Sequence, residues 1–290
     1  MKFGVQTFSS PTSIMPDVFA RAAEERGFES VYFPDHTHIP YDTVQAGAPE
    51  RYQNVIDVLV ALTAAAVATQ TIGIGTSICI VPQRDPIVLA KQIASIDQLS
   101  GGRVIFGVGA GSIDQELLDH GTDPKNRFRV MRERIEAMHR IWTSHVASYF
   151  GDTVTFPPMV SDPKPAQVGG PPILVGGWGP RACERVFQYG DGWLPFRAAE
   201  NQVDDGSGEH EPFEEDLAAG ITRLAERARE LERPMPSVTL FNADPHPAAL
   251  ERYAAMGVDR CIFWLASTPA PTVLSRLDRL AELSRDHANA

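Results

Sequence analysis

Eight short apolar segments recur along this 290-residue chain, and nearly every one is followed by a stretch of helical periodicity. They are Phe3–Phe8, Ser30–Pro34, Ile72–Val81, Arg103–Val108, Pro172–Gly176, Asp191–Pro195, Ser237–Asn242 and Asp259–Leu265. Few architectures absorb that order. Strands separated by helices run parallel, and a parallel sheet is covered on both faces. The almost continuously apolar IGIGTSICIV of Ile72–Val81 reads as such a strand. Eight repeats in this length predict an α/β fold, a (β/α)8 TIM barrel in one domain over residues 1–290. A doubly wound open sheet is the alternative.

The punctuation agrees. Pro16 opens a helix through Arg26 that Gly27 closes, and Asp85-Pro86 opens one that runs to Leu99 and stops at Gly101-Gly102. Further helices are expected over Asn54–Ala68, Arg127–Trp142, Pro180–Tyr189, Pro212–Glu232, Pro247–Met256 and Pro271–His287. The segments Ile39–Gln53, Ala110–Asn126, Ser148–Pro172 and Arg197–Glu211 break the rhythm. They follow strand ends or extend such connections, so most are expected as insertions over the C-terminal mouth, where barrel active sites lie.

Charge and cysteine content narrow the partners. With 26 Lys+Arg against 37 Asp+Glu the chain carries a net charge of −11, which repels phosphate backbones and anionic membranes. Neither nucleic acid nor a membrane is therefore expected as a partner. Residues Val58–Gln83 carry no charge, yet Thr63, Thr69, Gln70, Thr71, Gly73 and Gly75 interrupt them. They read as a buried helix and strand rather than a membrane span. Cys79, Cys183 and Cys261 form no CxxC pair, which argues for a reducing compartment and against a cysteine zinc site. Met1-Lys2-Phe3 runs straight into a strand without a signal peptide, so a cytoplasmic location is expected.

Two glycine clusters fall at strand ends: Gly107-Val108-Gly109-Ala110-Gly111, and Gly176-Gly177-Trp178-Gly179-Pro180. Glycines at a strand-to-helix turn let the backbone approach a ligand, and the helix start behind offers N–H groups to an anion. Pro180 makes the second cluster the better phosphate cradle; the alternative reading is that these glycines only turn corners. The first cluster does not fit a dinucleotide fingerprint, being GxGxGx.

Asp35-His36-Thr37-His38 follows the second strand, so an imidazole and a carboxylate stand where acid–base work is done. Alternatively Asp35 only bonds local backbone. The other histidines fall mostly in helices or loops, so no metal site is expected. Thr76-Ser77-Ile78, late in the third strand, either hydrogen-bonds within the core or forms a bulge that backs a planar ligand. Of the four tryptophans Trp178 stands out, inside a glycine cluster.

Taken together, FGVQTF, VYFPDH, IGIGTSICIVPQRDPIVLAKQIASIDQLSGGRVIFGVGAG, PKPAQ, PPILVGGWGP and GDGWLP resemble the luciferase-like superfamily in its F420-dependent oxidoreductase branch. The likeness covers essentially the whole chain. It implies a TIM barrel with a flavin-like ring at its mouth and a bulge in the third strand, often with a non-prolyl cis peptide, at Ser77-Ile78. Asp35 and His36 correspond to the family's strand-two pair, with His36 the candidate proton donor. The phosphate contacts would fall on Gly109, Ala110 and Gly111 and on Gly176, Gly177 and Gly179, beside Trp178. Sugar-phosphate dehydrogenases of the superfamily place a catalytic glutamate directly after the strand-four glycines. Here Ser112 stands there, the next acids being Asp114 and Glu116, which leaves His36 without an evident partner.

The leading expectation is an F420-dependent oxidoreductase acting on a small organic substrate, with positive potential for F420 drawn from helix N-termini and from Arg84, Arg103, Arg127 or Arg181. The alternatives are an FMN-dependent monooxygenase fed by a separate reductase, a non-catalytic flavin- or F420-binding protein, and a metal-dependent hydrolase resting on His36 and His38. A homodimer is expected, since dimers are common among proteins resembling this one.

Overall fold

The computed structural model describes residues 1–197 and 213–289; most of the Arg197–Glu211 insertion lies outside them. Strands β1 (Lys2–Thr7), β2 (Ser30–Phe33), β3 (Gly73–Thr76), β4 (Cys79–Ile80) and β5 (Val104–Gly109) come first. A hairpin, β6 (Ala147–Phe150) and β7 (Thr155–Met159), precedes β8 (Ile173–Gly176), β9 (Gly192–Leu194), β10 (Ser237–Phe241) and β11 (Arg260–Leu265). The barrel strands all pair in parallel, and the sheet closes on itself. With β3 and β4 as two pieces of one strand, this is the eight-stranded (β/α)8 barrel.

The helices are α1 (Pro16–Glu25), α2 (Tyr41–Gln45), α3 (Glu50–Gln53), α4 (Val58–Ala68), α5 (Pro86–Ser100), α6 (Asp114–Asp119) and α7 (Arg127–Thr143). After them come α8 (Gly179–Tyr189), α9 (Phe213–Glu230), α10 (Pro247–Met256) and α11 (Ala270–Asn289). Their boundaries follow local chemistry. The Asp85 carboxylate accepts from the amides of Ile87 and Val88 at 2.9 Å, Pro86 fills the first turn, and Gly101 ends α5 at φ +71°.

Apolar side chains on the strands' outer faces meet the helices in one continuous core. Inside the barrel, Tyr32, Ile105, Leu174, Leu194 and Ile262 fill the interior, with Ile78 and Phe241 packed against them. Each such buried side chain contributes roughly 1.5–3 kcal/mol relative to exposure.

Four sequence expectations are corrected. The loop to Gln53 contains two short helices, α2 and α3. The helix expected from Asn54 starts at Val58, because Asp57 accepts from the amides of Leu59 and Val60 and so sets the boundary. The irregular Ser148–Pro172 stretch contains the antiparallel β6–β7 pair. The third strand is not continuous: β3 stops at Thr76, the Ser77–Ile78 peptide is cis, and pairing resumes at Cys79.

Candidate active site

The interruption of the third strand shapes the site. Thr76 stays in the core, its hydroxyl donating to the Gly107 carbonyl at 2.5 Å, while the Ser77 amide donates to Phe33 O. Ser77 and Ile78 then face a cavity of about 190 Å³ at the C-terminal mouth. The glycines of the next strands give Ile78 its seat. A Cβ on Gly109 would lie 2.5 Å from Ile78 Cδ1, and one on Gly176 would lie 3.2 Å from its Cγ2 and 3.0 Å from Val108 O. Gly109 and Gly176, expected as phosphate contacts, thus make room for the side chain that walls the cavity. Buried Ala110 follows, and Gly111, at φ +81°, accepts from Arg127 through its carbonyl.

His36 leaves β2 through Pro34 and Asp35 and lines the same cavity. Its Nδ1 lies 3.1 Å from Glu116 Oε2 and 3.3 Å from Oε1, and the Thr37 amide donates to Oε1. The Glu116 side chain is fully buried. Burial is the largest influence on its carboxyl and raises the pKa, but the His36 hydrogen bond and charge, with Gln83 and the Thr37 amide, outweigh it. The carboxyl is therefore held below its usual range and ionised at neutral pH. An ionised carboxylate only accepts, so His36 Nδ1 carries the proton between them and Nε2 is left for chemistry. His36 thus meets a glutamate of α6 rather than one directly after the strand-four glycines. That short helix is pinned by Thr122, whose hydroxyl donates to Pro82 O.

Asp35 is buried, and its carboxylate takes the Ile80 amide and a two-pronged contact from Arg84, which also reaches Asp57. It fastens the end of β2 to the segment after the cis peptide, and Arg84 is correspondingly committed. Arg103 donates to Ala66, Thr69 and Ile72 carbonyls from the start of β5, at the opposite end of the barrel. Neither supplies the free positive potential expected of it. Arg127 pairs with Asp114, and Arg181 is exposed on α8.

The second glycine cluster forms an open turn. Gly177 and Gly179 adopt φ +122° and +75°; a Cβ on Gly179 would meet nothing within 4 Å, and one on Gly177 only Ala182, at 3.7 Å. The turn is held from behind. Trp193 Nε1 donates to Gly177 O, and the ring of Trp178 packs edge-on against Trp193, Phe196 and Phe213.

Several cavity residues escaped sequence reasoning: Gln6, Arg51, Tyr52, Asn242 and Trp264. The amide oxygen of Gln6 is buried with no partner among the described residues. The signal that could have found Gln6 is a polar side chain within the apolar run of the first strand. His38 and His120 are tied to Thr37, and His38 to Asp119, at the rim. Among the described residues no group of three or more His, Cys, Asp or Glu side chains is arranged to hold a metal. Nor is any described helix long and apolar enough to cross a membrane.

A parallel barrel with a buried carboxylate–imidazole pair and an apolar wall at its C-terminal mouth is the TIM-barrel arrangement for binding and transforming a small molecule. The chain belongs to the luciferase-like monooxygenase family, whose model matches residues 18–288. An uncharacterized protein of Mycobacterium tuberculosis (strain H37Rv) is 35% identical over 294 residues, covering 97% of this chain and 98% of that one. An F420-dependent glucose-6-phosphate dehydrogenase of Amycolatopsis mediterranei is 32% identical over 180 residues, 61% of this chain and 51% of that enzyme. Among solved structures, an F420-dependent secondary alcohol dehydrogenase in complex with an F420-acetone adduct superposes with a TM-score of 0.75 at 20% identity, covering 97% of both chains.

Proposed function

We propose that this protein is an F420-dependent oxidoreductase that exchanges a hydride with a small organic substrate, His36 handling the accompanying proton. The observation that carries this reading is His36, backed by the buried Glu116, facing the cavity walled by Ile78. The residues present fit such a cofactor. Ser77 and Ile78 would back a flat ring, the buried amide oxygen of Gln6 offers an acceptor to a ring N–H or a substrate hydroxyl, and the Gly177–Gly179 turn would take a phosphate at the start of α8. When bound, the deazaflavin supplies or accepts the hydride. In the reducing direction His36 Nε2 gives a proton to the developing alkoxide, so hydride and proton convert a carbonyl to an alcohol. Glu116 holds the ring orientation and the Nδ1–H tautomer. The relatives named as F420-dependent support the cofactor.

Separate titrations with F420 and FMN test the reading. Tight binding of F420 with weak binding of FMN is expected. A preference for FMN would instead indicate a monooxygenase with a reductase partner, and binding of neither would overturn the cofactor assignment.

A homodimer is part of the same proposal. Helix α4 (VLVALTAAAVA) carries no charge on any face, yet Val60 and Val67 are exposed, next to exposed Leu99 of α5. An apolar patch of this kind marks an interaction surface. Light scattering should give twice the 31.7 kDa chain mass, and Val60→Glu should return it to one; a monomeric wild type would refute the interface.

A further inference from the structure

Arg51, in α3, is set apart from the other arginines around the mouth. Arg84, Arg127 and Arg197 are paired with Asp35 and Asp57, with Asp114, and with Asp244 respectively. No carboxylate among the described residues pairs with Arg51, in a chain where acids outnumber bases 37 to 26. The neighbouring Glu50 instead takes Asn54. The guanidinium sits among three rings, its Cζ 4.9 Å from the centroid of Tyr52, 5.4 Å from Trp264 and 5.6 Å from Phe8. Its Nε is buried with no hydrogen-bond partner among the described residues.

Aromatic faces hold a cation in place but leave its N–H edge unsatisfied. A planar fork of donors, desolvated on its faces, is the shape that takes a carboxylate by two parallel hydrogen bonds. The position fits a substrate rather than a cofactor tail. Phe8 follows directly on β1 and Trp264 lies in β11, which pairs with β1, whereas the Gly177–Gly179 turn follows β8, across the barrel. An anion at that turn is therefore not the anion at Arg51. Tyr52 joins Arg51 to the dyad, its ring centroid 4.8 Å from that of His36. One small molecule can reach both.

We infer that the substrate is a carboxylate-bearing carbonyl or hydroxy compound, its acid group held by Arg51 and its reacting carbon presented to His36. This rests on the reading of His36 as the proton-handling residue. It makes Arg51 the specificity determinant: a neutral substrate would leave an uncompensated cation in the cavity wall.

The test uses 4-oxopentanoate, phenylglyoxylate and mandelate, each against its primary amide, titrated by calorimetry into the protein with and without F420. At least one acid should bind about tenfold more tightly than its amide, as a charge-assisted contact requires. Arg51→Met should erase that preference while F420 affinity stays unchanged, and Arg51→Lys should restore part of it. If no acid is preferred in the wild type, or if Arg51→Met keeps the preference, the inference falls. It also falls if Arg51→Met weakens F420 binding and nothing else, since Arg51 would then contact the cofactor. Failure of the F420 reading is separately visible, because the acid–amide comparison on cofactor-free protein does not depend on it.

Discussion

Glu116→Gln is expected to lower turnover by roughly 10²–10⁴-fold, the range for losing a general acid–base function, while cofactor affinity stays nearly constant. Glutamine fills the same space and its amide oxygen still accepts from His36 Nδ1–H, so α6 and the end of β2 stay in place. What is lost is the negative charge in a fully buried position, 3.1 Å from the imidazole. That charge fixes the tautomer with the proton on Nδ1, facing the carboxylate. His36→Ala should cost a similar factor, and the double variant little more, because the two side chains act as one unit. Steady-state kinetics on the four proteins, with cofactor binding measured alongside, gives the answer. Multiplying losses would mean independent roles. A drop in cofactor affinity with unchanged turnover of the bound enzyme would make His36 a cofactor contact.

Gly177→Val is the second large effect, and it should act on binding rather than turnover. At φ +122° a β-branched residue is strained, and it would cover the amides of the turn with a side chain where only Ala182 now lies near. The expected rise in F420 dissociation constant is about 10²-fold, on the order of 2.8 kcal/mol. Circular dichroism should remain that of the wild type, since the turn is open on its outer side. Unaltered affinity would remove the phosphate from this turn. Gly109→Ala is the informative contrast, because its Cβ displaces Ile78 from its seat and reshapes the ring-facing wall instead.

How far these features were legible depends on how local their causes are. The barrel could be read from the chain because parallel strands and covering helices write their own periodicity, with Pro16, Gly27, Asp85 and Gly101 marking the ends. The β6–β7 hairpin could not, since Pro157 and Pro158 within TFPPM speak against a strand. His36 and the Ser77–Ile78 step could be placed from the resemblance. Glu116 could not be joined to His36, because only the folding of α6 brings residues 80 positions apart into contact. Arg51 was hidden for the same reason: its rings come from the residue after β1, from α3 and from β11, and no window of sequence contains all three.

The pairing of β1 with β11 has a bearing on how the molecule is made. The residues of the His36–Glu116 pair are translated well before β11. The aromatic cage around Arg51 waits for Trp264, which arrives on the final strand and docks beside the first. A nascent chain stalled before β11 therefore contains both members of the His36–Glu116 pair but lacks the ring that completes the enclosure at Arg51. The pocket is finished in the same event that seals the barrel.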